Sequence, residues 1–387
     1  DHRDLHSFPT RRSSDLSYGL DIDVKRPMKD LSHPDKQLIE VISNLDSNAR
    51  FILLDEPTTA LDGRQSADLL GQVRRIATER NIGVVLVSHK LDEVLTVCAE
   101  ITVLSGGRVV YRAAGETISK QAIVDAIVGD ARSHSVTVTK RAAAAGEVFL
   151  RVSGLGGERL KGVDLEARRG EVLGLYGLVG SGRTRFLRTL YGMEPVTTGT
   201  IELDNRAYHP ISTRTAIESG IAFLTEERKV DGFIPMMSAY RNVTLSTLQR
   251  YRRHGLVSVT SALASAAEIL ARIDTRGRLD SAIKSLSGGN QQKVLFGRII
   301  EQNADLVLLD EPTKGVDIGS KADIYDIVRG LADEGRCIIV VSSEEEELLE
   351  MSDRIAIFQH GHCSGIIRAA SDWTLGSLRE AAWASAA

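Results

Sequence analysis

The chain has 387 residues, a length that favours two or more domains over one. Hydrophobic residues make up 42% of it and charged residues 26%, as in ordinary globular proteins, and it contains no run of the roughly eighteen apolar residues that predict a membrane-spanning helix. The formal net charge of -4 provides no general basic field, which argues against a protein whose main partner is nucleic acid.

The first sixteen residues differ in character from the rest of the chain. They are rich in Arg, Ser, His and Asp and lack apolar periodicity, so they predict neither a secretion signal nor the start of a domain. The run HSFPTRRSSDL resembles the translation of a sequencing-library adapter fused to an incomplete gene. We therefore expect residues 1–16 to be a non-native leader, with a disordered natural tail as the alternative.

A duplicated run of residues determines the predicted domain organisation. FILLDEPTTALD begins at Phe51, and LVLLDEPTKGVD begins 255 positions later at Leu306. The same offset pairs LSGGNQQK, from Leu286, with LSHPDKQ, from Leu31, and a nearly equal offset pairs VVSS with LVSH. Three landmarks recur in the same order, which predicts an internal duplication.

The two copies have predicted limits and a predicted fold class. Residues 131–146 are small, polar and aperiodic, as expected of an inter-domain linker, so the copies occupy residues 17–130 and 147–387. Apolar runs such as VVLV and CIIVV alternate with helical stretches such as residues 321–333, which is typical of α/β units with a parallel sheet. Counting back one offset from Gly177, where the second copy's phosphate loop starts, leads to a position before residue 1. The first copy is therefore expected to lack a phosphate loop.

A glycine-rich run in the second copy predicts that loop. GLVGSGRT follows the apolar strand EVLGLY and precedes the helical run FLRTLYG, the order that a P-loop requires. Backbone N–H groups of such a loop bind phosphate, and its final hydroxyl ligates Mg²⁺. Arg183 replaces the usual lysine, whose compact ammonium a planar guanidinium does not reproduce. The predicted binding residues are Gly177, Leu178, Val179, Gly180, Ser181, Gly182, Arg183 and Thr184, with Thr184 also a metal ligand.

Two further runs in the second copy complete the predicted chemistry. The strand run that begins at Leu306 ends in Asp310, expected near Mg²⁺, and Glu311, expected to polarise an attacking water. In LSGGNQQK, a serine and two glycines at a helix start create a second anion-binding terminus. The residues assigned to this terminus are Ser287, Gly288, Gly289 and Asn290.

The runs LSGGNQQKV, GLVGSGRT, TEERKVDGF and DEPTKGVDIGSK together resemble the second cassette of the ATP-binding subunits of bacterial sugar ABC importers of the ribose, galactose and xylose class. The resemblance extends over nearly everything from Ser17 onward. It implies an α/β fold of tandem P-loop NTPase ABC cassettes, with mainly parallel sheets plus helical subdomains and an incomplete first cassette. It implies ATP hydrolysis with ATP and Mg²⁺ as cofactors. Its implied partners are a membrane permease and an extracytoplasmic sugar-binding protein rather than nucleic acid, at the cytoplasmic face of the inner membrane.

In the resembled family, two cassettes pair head to tail, within or between chains, and each ATP lies between the phosphate loop of one and the signature of the other. Carried over residue by residue, one site joins Asp55 as metal ligand, Glu56 as catalytic base and His89 as catalytic switch histidine to the second copy's LSGGN run. All of these positions match the family pattern, so this site is expected to be the competent one.

The other site joins the second phosphate loop to LSHPD, where His33 and Pro34 replace the glycine pair and proline supplies no N–H. Ser343 occupies the switch-histidine position and Glu226, counted among the nucleotide-binding residues, occupies the usual glutamine position. With Arg183 these departures predict a degenerate site. Because the competent site has lost its phosphate loop, the chain is expected to be a weak or inactive ATPase.

Two other functions remain open at this stage. ABC-type ATPases that act on nucleic acid or ribosomes share these motifs, although they usually add coiled-coil arms, zinc-binding cysteines or a basic arm that are not found here. A non-catalytic nucleotide-binding scaffold is the third possibility. Within the segment that would contact a permease, the exposed aromatics Phe233 and Tyr240 are either contacts or local core.

Overall fold

A computed structural model describes most of the chain. Its residues form two compact units, which meet in the sequence between Ser133 and His134. The described residues are 27–28, 31, 36, 39–40, 43, 49–58, 63–88, 90–105, 108–120, 122–123, 126, 146–178 and 180–383. Several predicted features lie outside them: the leader, nearly all of the linker, His33, Pro34, His89 and Val179.

The described part of the first unit contains two small β-sheets. Its elements are β1 (Phe51–Asp55), α1 (Gly63–Arg80), β2 (Gly83–Val87), α2 (Leu91–Val97), β3 (Glu100–Ser105) and β4 (Arg108–Ala114). Strands β1 and β2 pair in parallel, whereas β3 and β4 pair antiparallel. Ile52 and Leu54 on one face of β1 pack with Leu69 and Val73, which are spaced by four residues on α1. A periodic helix face thus covers one side of the parallel pair.

The second unit holds a larger set of elements. Its strands are β5 (Val148–Gly156), β6 (Lys161–Arg168), β7 (Val172–Tyr176), β8 (Thr198–Leu203), β9 (Arg206–Ala207), β10 (Ile221–Leu224), β11 (Arg252–Arg253), β12 (Leu256–Val257), β13 (Leu306–Asp310), β14 (Cys337–Val341), β15 (Arg354–Gln359) and β16 (His362–Ala369). Its helices are α3 (Arg183–Leu190), α4 (Thr213–Glu218), α5 (Ala239–Thr244), α6 (Val259–Arg272), α7 (Gly288–Gln302), α8 (Ile318–Asp333), α9 (Glu345–Met351) and α10 (Leu375–Trp383).

A six-stranded sheet forms the centre of the second unit. Its order is β10-β13-β14-β7-β15-β16, and all neighbours are parallel except the last pair. Every residue of β7, β13 and β14 is buried, which explains why their sequences are continuous apolar runs instead of alternating ones. An antiparallel sheet, β6-β5-β8-β9, packs with α3 on one face, while α5, α6, α7 and α8 contribute to the core of the other.

The predicted elements agree with the observed ones at several places. The run CIIVV forms β14 with the predicted limits, and VVLV lies within β2. The helix expected over residues 321–333 begins three residues earlier, because the side chain of Asp317 caps it by accepting the N–H of Ser320 at 3.0 Å. Within the described residues, none of the helices is long and apolar enough to cross a membrane.

Candidate functional site

The phosphate loop of the second unit connects β7 to α3, as predicted. Gly182 occupies the N-cap of α3 with φ of 106°, a left-handed conformation that favours glycine. Gly177 lies so close to the end of β15 and the turn after it that an added Cβ would lie 2.2 Å from the carbonyl oxygen of Phe358 in that strand. The N–H of Gly361 in that turn donates to the carbonyl oxygen of Ser181 at 2.8 Å. The loop is therefore held by backbone contacts that leave no room for a larger residue at Gly177.

Thr184 and Asp310 meet at the C-terminal edge of the sheet, as the sequence predicted for two metal ligands. The Thr184 hydroxyl donates to Oδ1 of Asp310 at 3.1 Å. Asp310 is fully buried, and this burial raises its pKa to about 6. Within the described part of the chain, Asp310 Oδ2 is buried without a hydrogen-bond partner, and so is Ser181 Oγ of the phosphate loop. A carboxylate with one unpartnered oxygen, hydrogen-bonded to a hydroxyl, supplies the oxygen ligands that Mg²⁺ prefers, so Thr184 and Asp310 fit the implied metal.

Arg183 lies in the loop but directs its guanidinium to a neighbouring strand. Its Nη1 donates to the carbonyl oxygen of Ser342, just after β14, at 2.8 Å, and the residue is only 8% exposed. Burial lowers the pKa of this guanidinium, an effect opposed by the nearby carboxylates of Glu311 and Asp310. The guanidinium is thus hydrogen-bonded to a backbone carbonyl oxygen. This contact supports the prediction that arginine does not reproduce the role of a P-loop lysine.

Glu311 follows β13 in a constrained backbone position. Its φ is 50°, in the left-handed region, and its N–H donates to the carbonyl oxygen of Val341 at 2.9 Å. The Ser343 hydroxyl donates to Oε2 of Glu311 at 3.2 Å, so the residue at the predicted switch position contacts the predicted base. Burial raises the pKa of Glu311 to about 7, which suits a group that accepts a proton near neutral pH.

Glu226 is brought to the same edge from the end of β10. Its Oε1 pairs with Nζ of Lys314, four residues after Asp310, at 2.7 Å. The two neighbouring strands β10 and β13 account for this proximity, because parallel strands end at a common edge. The structure therefore brings Glu226 together with the phosphate loop and the acid pair.

The predicted second anion-binding terminus is the start of α7, a helix of 15 residues. Ser287 is its N-cap, and the Asn290 amide nitrogen Nδ2 donates to the Ser287 hydroxyl at 2.8 Å. An added Cβ on Gly289 would lie 2.2 Å from Oγ of Ser320, and one on Gly288 would lie 3.0 Å from the carbonyl oxygen of Gly315. Small residues at these two positions are what allow the backbone to approach its neighbours.

The first unit repeats the geometry of the acid pair. Asp55 lies opposite Val87 in the β1–β2 register, as Asp310 lies opposite Val341. Glu56 has φ of 46°, and its N–H donates to the carbonyl oxygen of Val87 at 2.8 Å. The predicted carboxylates of the first unit thus occupy the same local backbone as those of the second.

Sequence analysis missed one carboxylate at each acid pair, buried in the second unit and partly buried in the first. Glu347 is 2% exposed on α9 and accepts a hydrogen bond from Thr313, two residues after Glu311. Glu93 on α2 accepts one from Thr58, two residues after Glu56. The signal was present in the repeat, because Thr58 and Thr313 are 255 positions apart and Glu93 and Glu347 are 254 apart.

The aromatic side chains proposed as exposed contacts are not exposed. Phe233 is 7% exposed and belongs to the main hydrophobic core, and Tyr240 is half-buried against that core. Of the two alternatives left open, contacts or local core, the structure supports local core, and only the description of these side chains as exposed was wrong. The exposed apolar residues of this stretch are Val230, Ile234 and Met236.

Comparisons with known proteins agree with this geometry. A family model described as ABC transporter matches residues 160–314. The ribose import ATP-binding protein RbsA 2 of Rubrobacter xylanophilus is 39% identical over 351 residues, which are 90% of this chain and 67% of that protein. The galactose/methyl galactoside import ATP-binding protein MglA of Treponema denticola is 33% identical over 368 residues, 94% of this chain and 73% of that protein.

Solved structures of ATP-binding cassettes have a fold similar to that of this chain. A nucleotide-free ATP-binding cassette from an ABC transporter superposes with a TM-score of 0.51 at 19% identity, covering 58% of this chain and 92% of that one. A dimeric post-hydrolysis ATP-binding cassette bound to ADP and Pi superposes with a TM-score of 0.50 at 23% identity, covering 57% and 98%. The chain therefore contains the α/β fold of an ABC cassette.

Proposed function

This chain belongs to the ATP-binding subunits of bacterial sugar ABC importers, and we propose that it binds ATP with Mg²⁺ and supplies the energy for importing a simple sugar through a membrane permease. The observation that carries the proposal is the hydrogen bond between Thr184 and Asp310 beside the phosphate loop, where the second carboxylate oxygen of Asp310 is buried without a hydrogen-bond partner. Bound there, Mg²⁺ would neutralise the phosphate charge that develops during hydrolysis. Ligation by Thr184 and Asp310 leaves Glu311 free to accept a proton from water.

The organisation we propose is two tandem cassettes, of which the first is incomplete. The support comes from one face of the β1–β2 pair, where the side chains of Phe51, Leu53, Val85 and Val87 are 73%, 79%, 52% and 55% exposed. Their counterparts in the second unit are Leu306, Leu308, Ile339 and Val341, all at most 1% exposed.

Those counterparts share a core with Phe186, Leu187 and Leu190 of α3, the helix after the phosphate loop. The bare face of β1–β2 is therefore the face that a phosphate-loop helix would cover in a complete cassette. Residues 17–130 would be the rear part of the first cassette, residues 131–146 the linker and residues 147–387 the second cassette. The division of contacts between Ser133 and His134 supports that boundary. A non-native origin of residues 1–16 remains part of the same proposal.

The two composite ATP sites are proposed to differ. One would combine Asp55, Glu56 and His89 with Ser287 and the glycines after it, and would hydrolyse ATP. The other would combine the second phosphate loop and Asp310–Glu311 with the first cassette's LSHPD run, and would mainly hold nucleotide. The direction of the Arg183 guanidinium toward the Ser342 carbonyl supports a weakened second site.

A permease and an extracytoplasmic sugar-binding protein are the proposed partners, and the cytoplasmic face of the inner membrane is the proposed location. The permease would contact the segment from Glu226 to Tyr240, which exposes Val230 and Met236 at 72% and 70%. A role on nucleic acid is not favoured, because the similar proteins are sugar import subunits.

The function can be tested by restoring a front half. Residues 17–387 are fused behind the phosphate-loop half of the Rubrobacter relative and reconstituted with that relative's permease, and ATP hydrolysis and ribose uptake are measured. We expect little hydrolysis from the original chain, and recovery in the fusion that Glu56→Gln removes and Glu311→Gln leaves. Equal loss in both variants would contradict the asymmetry, and a fusion that binds no ATP would refute the function.

A further inference from the structure

A buried carboxylate lies beside the acid pair of the second unit without forming part of the proposed ATP chemistry. Oε2 of Glu347 accepts the hydroxyl of Ser342 at 2.6 Å, and Oε1 accepts the hydroxyls of Thr313 and, at 3.2 Å, Tyr325. The ammonium of Lys321 lies 3.6 Å from Oε1. These donors come from three different elements, so Glu347 on α9 joins the turn after β13, the end of β14 and α8.

The first unit contains the same arrangement. Oε2 of Glu93 accepts the hydroxyls of Thr58 at 2.6 Å and Ser88 at 3.4 Å, and Oε1 lies 3.2 Å from the ammonium of Lys90. Thr58 is 1% exposed and the Glu93 side chain is 13% exposed, so this contact is less completely buried than that of Glu347. The carboxylate again connects the turn after one strand to the end of the next.

The cation is the part that varies between the two units. Lys90 precedes α2 and donates to the carbonyl oxygen of Thr58 at 3.0 Å, whereas Lys321 comes from α8. The equivalent of Lys90 in the second copy is Glu344, and the equivalent of Lys321 in the first is Ser66. The constant part is therefore the threonine–glutamate–serine bridge, with charge compensation supplied from whichever element is near.

The bridge holds both sides of the acid pair. Thr313 follows Glu311 by two residues, and Ser342 follows Val341, whose carbonyl oxygen accepts the Glu311 N–H at 2.9 Å. The carbonyl oxygen of Ser342 also accepts the guanidinium of Arg183. Charge-assisted hydrogen bonds in a buried setting are strong and geometrically specific, so losing the carboxylate would loosen the turn that carries Glu311.

We propose that Glu347 and Glu93 are positioning residues, each of which fixes the turn carrying its acid pair against the end of the neighbouring strand. The inference rests on the proposed function, because it assigns the acid pair to nucleotide and metal. It concerns Mg²⁺-dependent binding more than binding of the nucleotide alone, because the glycine-rich loop would hold the phosphates whereas Asp310 would hold the metal.

The test uses the full chain with Glu347→Gln, and with Glu346→Gln as a control that removes the same charge from an exposed neighbour on α9. Calorimetric titration gives the Kd for ATP with Mg²⁺ and for ATP in EDTA. In the Glu347→Gln chain we expect the tightening caused by Mg²⁺ to shrink by about ten-fold, while the Kd in EDTA changes by less than about two-fold. Glu346→Gln should leave both constants unchanged.

A second measurement is independent of nucleotide. Hydrogen exchange should accelerate at the amide of Glu311 and at that of Glu344, whose N–H donates to the Ser342 hydroxyl at 3.1 Å, in Glu347→Gln but not in Glu346→Gln. If Glu347→Gln fails to fold, Thr313→Val removes one bond of the bridge with little change of shape and is expected to give the same two effects in smaller measure.

The outcomes separate this inference from the proposed function. An unchanged Mg²⁺ effect, or an equal weakening with and without Mg²⁺, in the Glu347→Gln chain would overturn the positioning role, as would unaltered exchange at Glu311 and Glu344. An unsubstituted chain that binds no ATP would refute the proposed function, and the exchange comparison would then decide the role of Glu347 alone.

Discussion

The guanidinium of Arg183 donates to the carbonyl oxygen of Ser342 at 2.8 Å, so the cation of the phosphate loop is bound to the protein's own backbone. A lysine at this position has a shorter reach to that carbonyl and a compact charge that suits phosphate. The contact supports the proposal that the site with the second phosphate loop holds nucleotide but hydrolyses it weakly.

We expect Arg183→Lys to tighten MgATP binding to the chain by about three- to ten-fold, because the ammonium would be released toward the phosphates. Isothermal titration of ATP measures the change. Arg185→Lys is the matched control, since Arg185 lies on the same helix and pairs with Glu194 at 3.2 Å. Equal affinities for the Arg183→Lys chain and the original would show that the guanidinium already binds the phosphates as well as a lysine would.

Asp310→Asn should stabilise the nucleotide-free chain near neutral pH. Burial raises the pKa of Asp310 from 3.8 to about 6, so the folded chain binds this proton more tightly than the unfolded chain does. The contribution of the protonated Asp310 to the free energy of unfolding is fully present below about pH 4. It is lost as the pH rises through about 6, where the buried carboxyl must ionise. At pH 7.5 the variant should therefore gain about 1–2 kcal/mol in free energy of unfolding, and near pH 4 the gain should vanish.

Urea unfolding at several pH values, without Mg²⁺ or nucleotide, tests this expectation. Asp280→Asn, which changes an exposed carboxylate, should follow the original chain at every pH. A gain in Asp310→Asn that does not depend on pH would contradict the linkage argument.

Equivalent leucines in the two units should respond differently to truncation. Leu308 is fully buried, so Leu308→Ala should cost about 2–5 kcal/mol of the second unit's stability. Leu53 is 79% exposed, so Leu53→Ala should change stability by less than about 0.5 kcal/mol. In a fusion with a restored front half, Leu53→Ala should become as costly as Leu308→Ala. Thermal unfolding of the original chain, the fusion and their variants gives the comparison. A small loss of stability from Leu53→Ala in the fusion would argue that nothing covers this face.

Gly177→Ala should abolish ATP binding. An added Cβ would lie 2.2 Å from the backbone oxygen of Phe358, which cannot move without displacing the turn that holds the loop. Gly330→Ala is the control, because a Cβ there meets nothing within 4 Å and the residue lies in α8. That variant should be stabilised by up to about 1 kcal/mol. Retained ATP affinity in Gly177→Ala would mean that the loop adapts.

The sequence predicted what depends on local pattern. The limits of β14 and the order of strand, loop and helix around Thr184 follow from apolar runs and glycine spacing, and both agree with the structure. The start of α8 was placed late, since the cap at Asp317 acts through a side-chain contact that apolar periodicity does not reveal.

What depends on three-dimensional packing was beyond the sequence. The burial of Phe233 follows from how its segment folds onto α7, and the partner of Arg183 follows from the neighbour relation of the loop and β14. The bridge at Glu347 was detectable in principle, because its residues recur in the duplication, but a glutamate on a short acidic helix resembles ordinary surface charge until its burial is known.

Glu56 and Glu311 both have φ near 50°, a region in which side-chain-bearing residues are strained by about 1 kcal/mol and where glycine or asparagine rests more easily. Random substitutions that relax this backbone would therefore remove a carboxylate. At these two positions, the residue that would make the fold more stable therefore differs from the residue that hydrolysis requires.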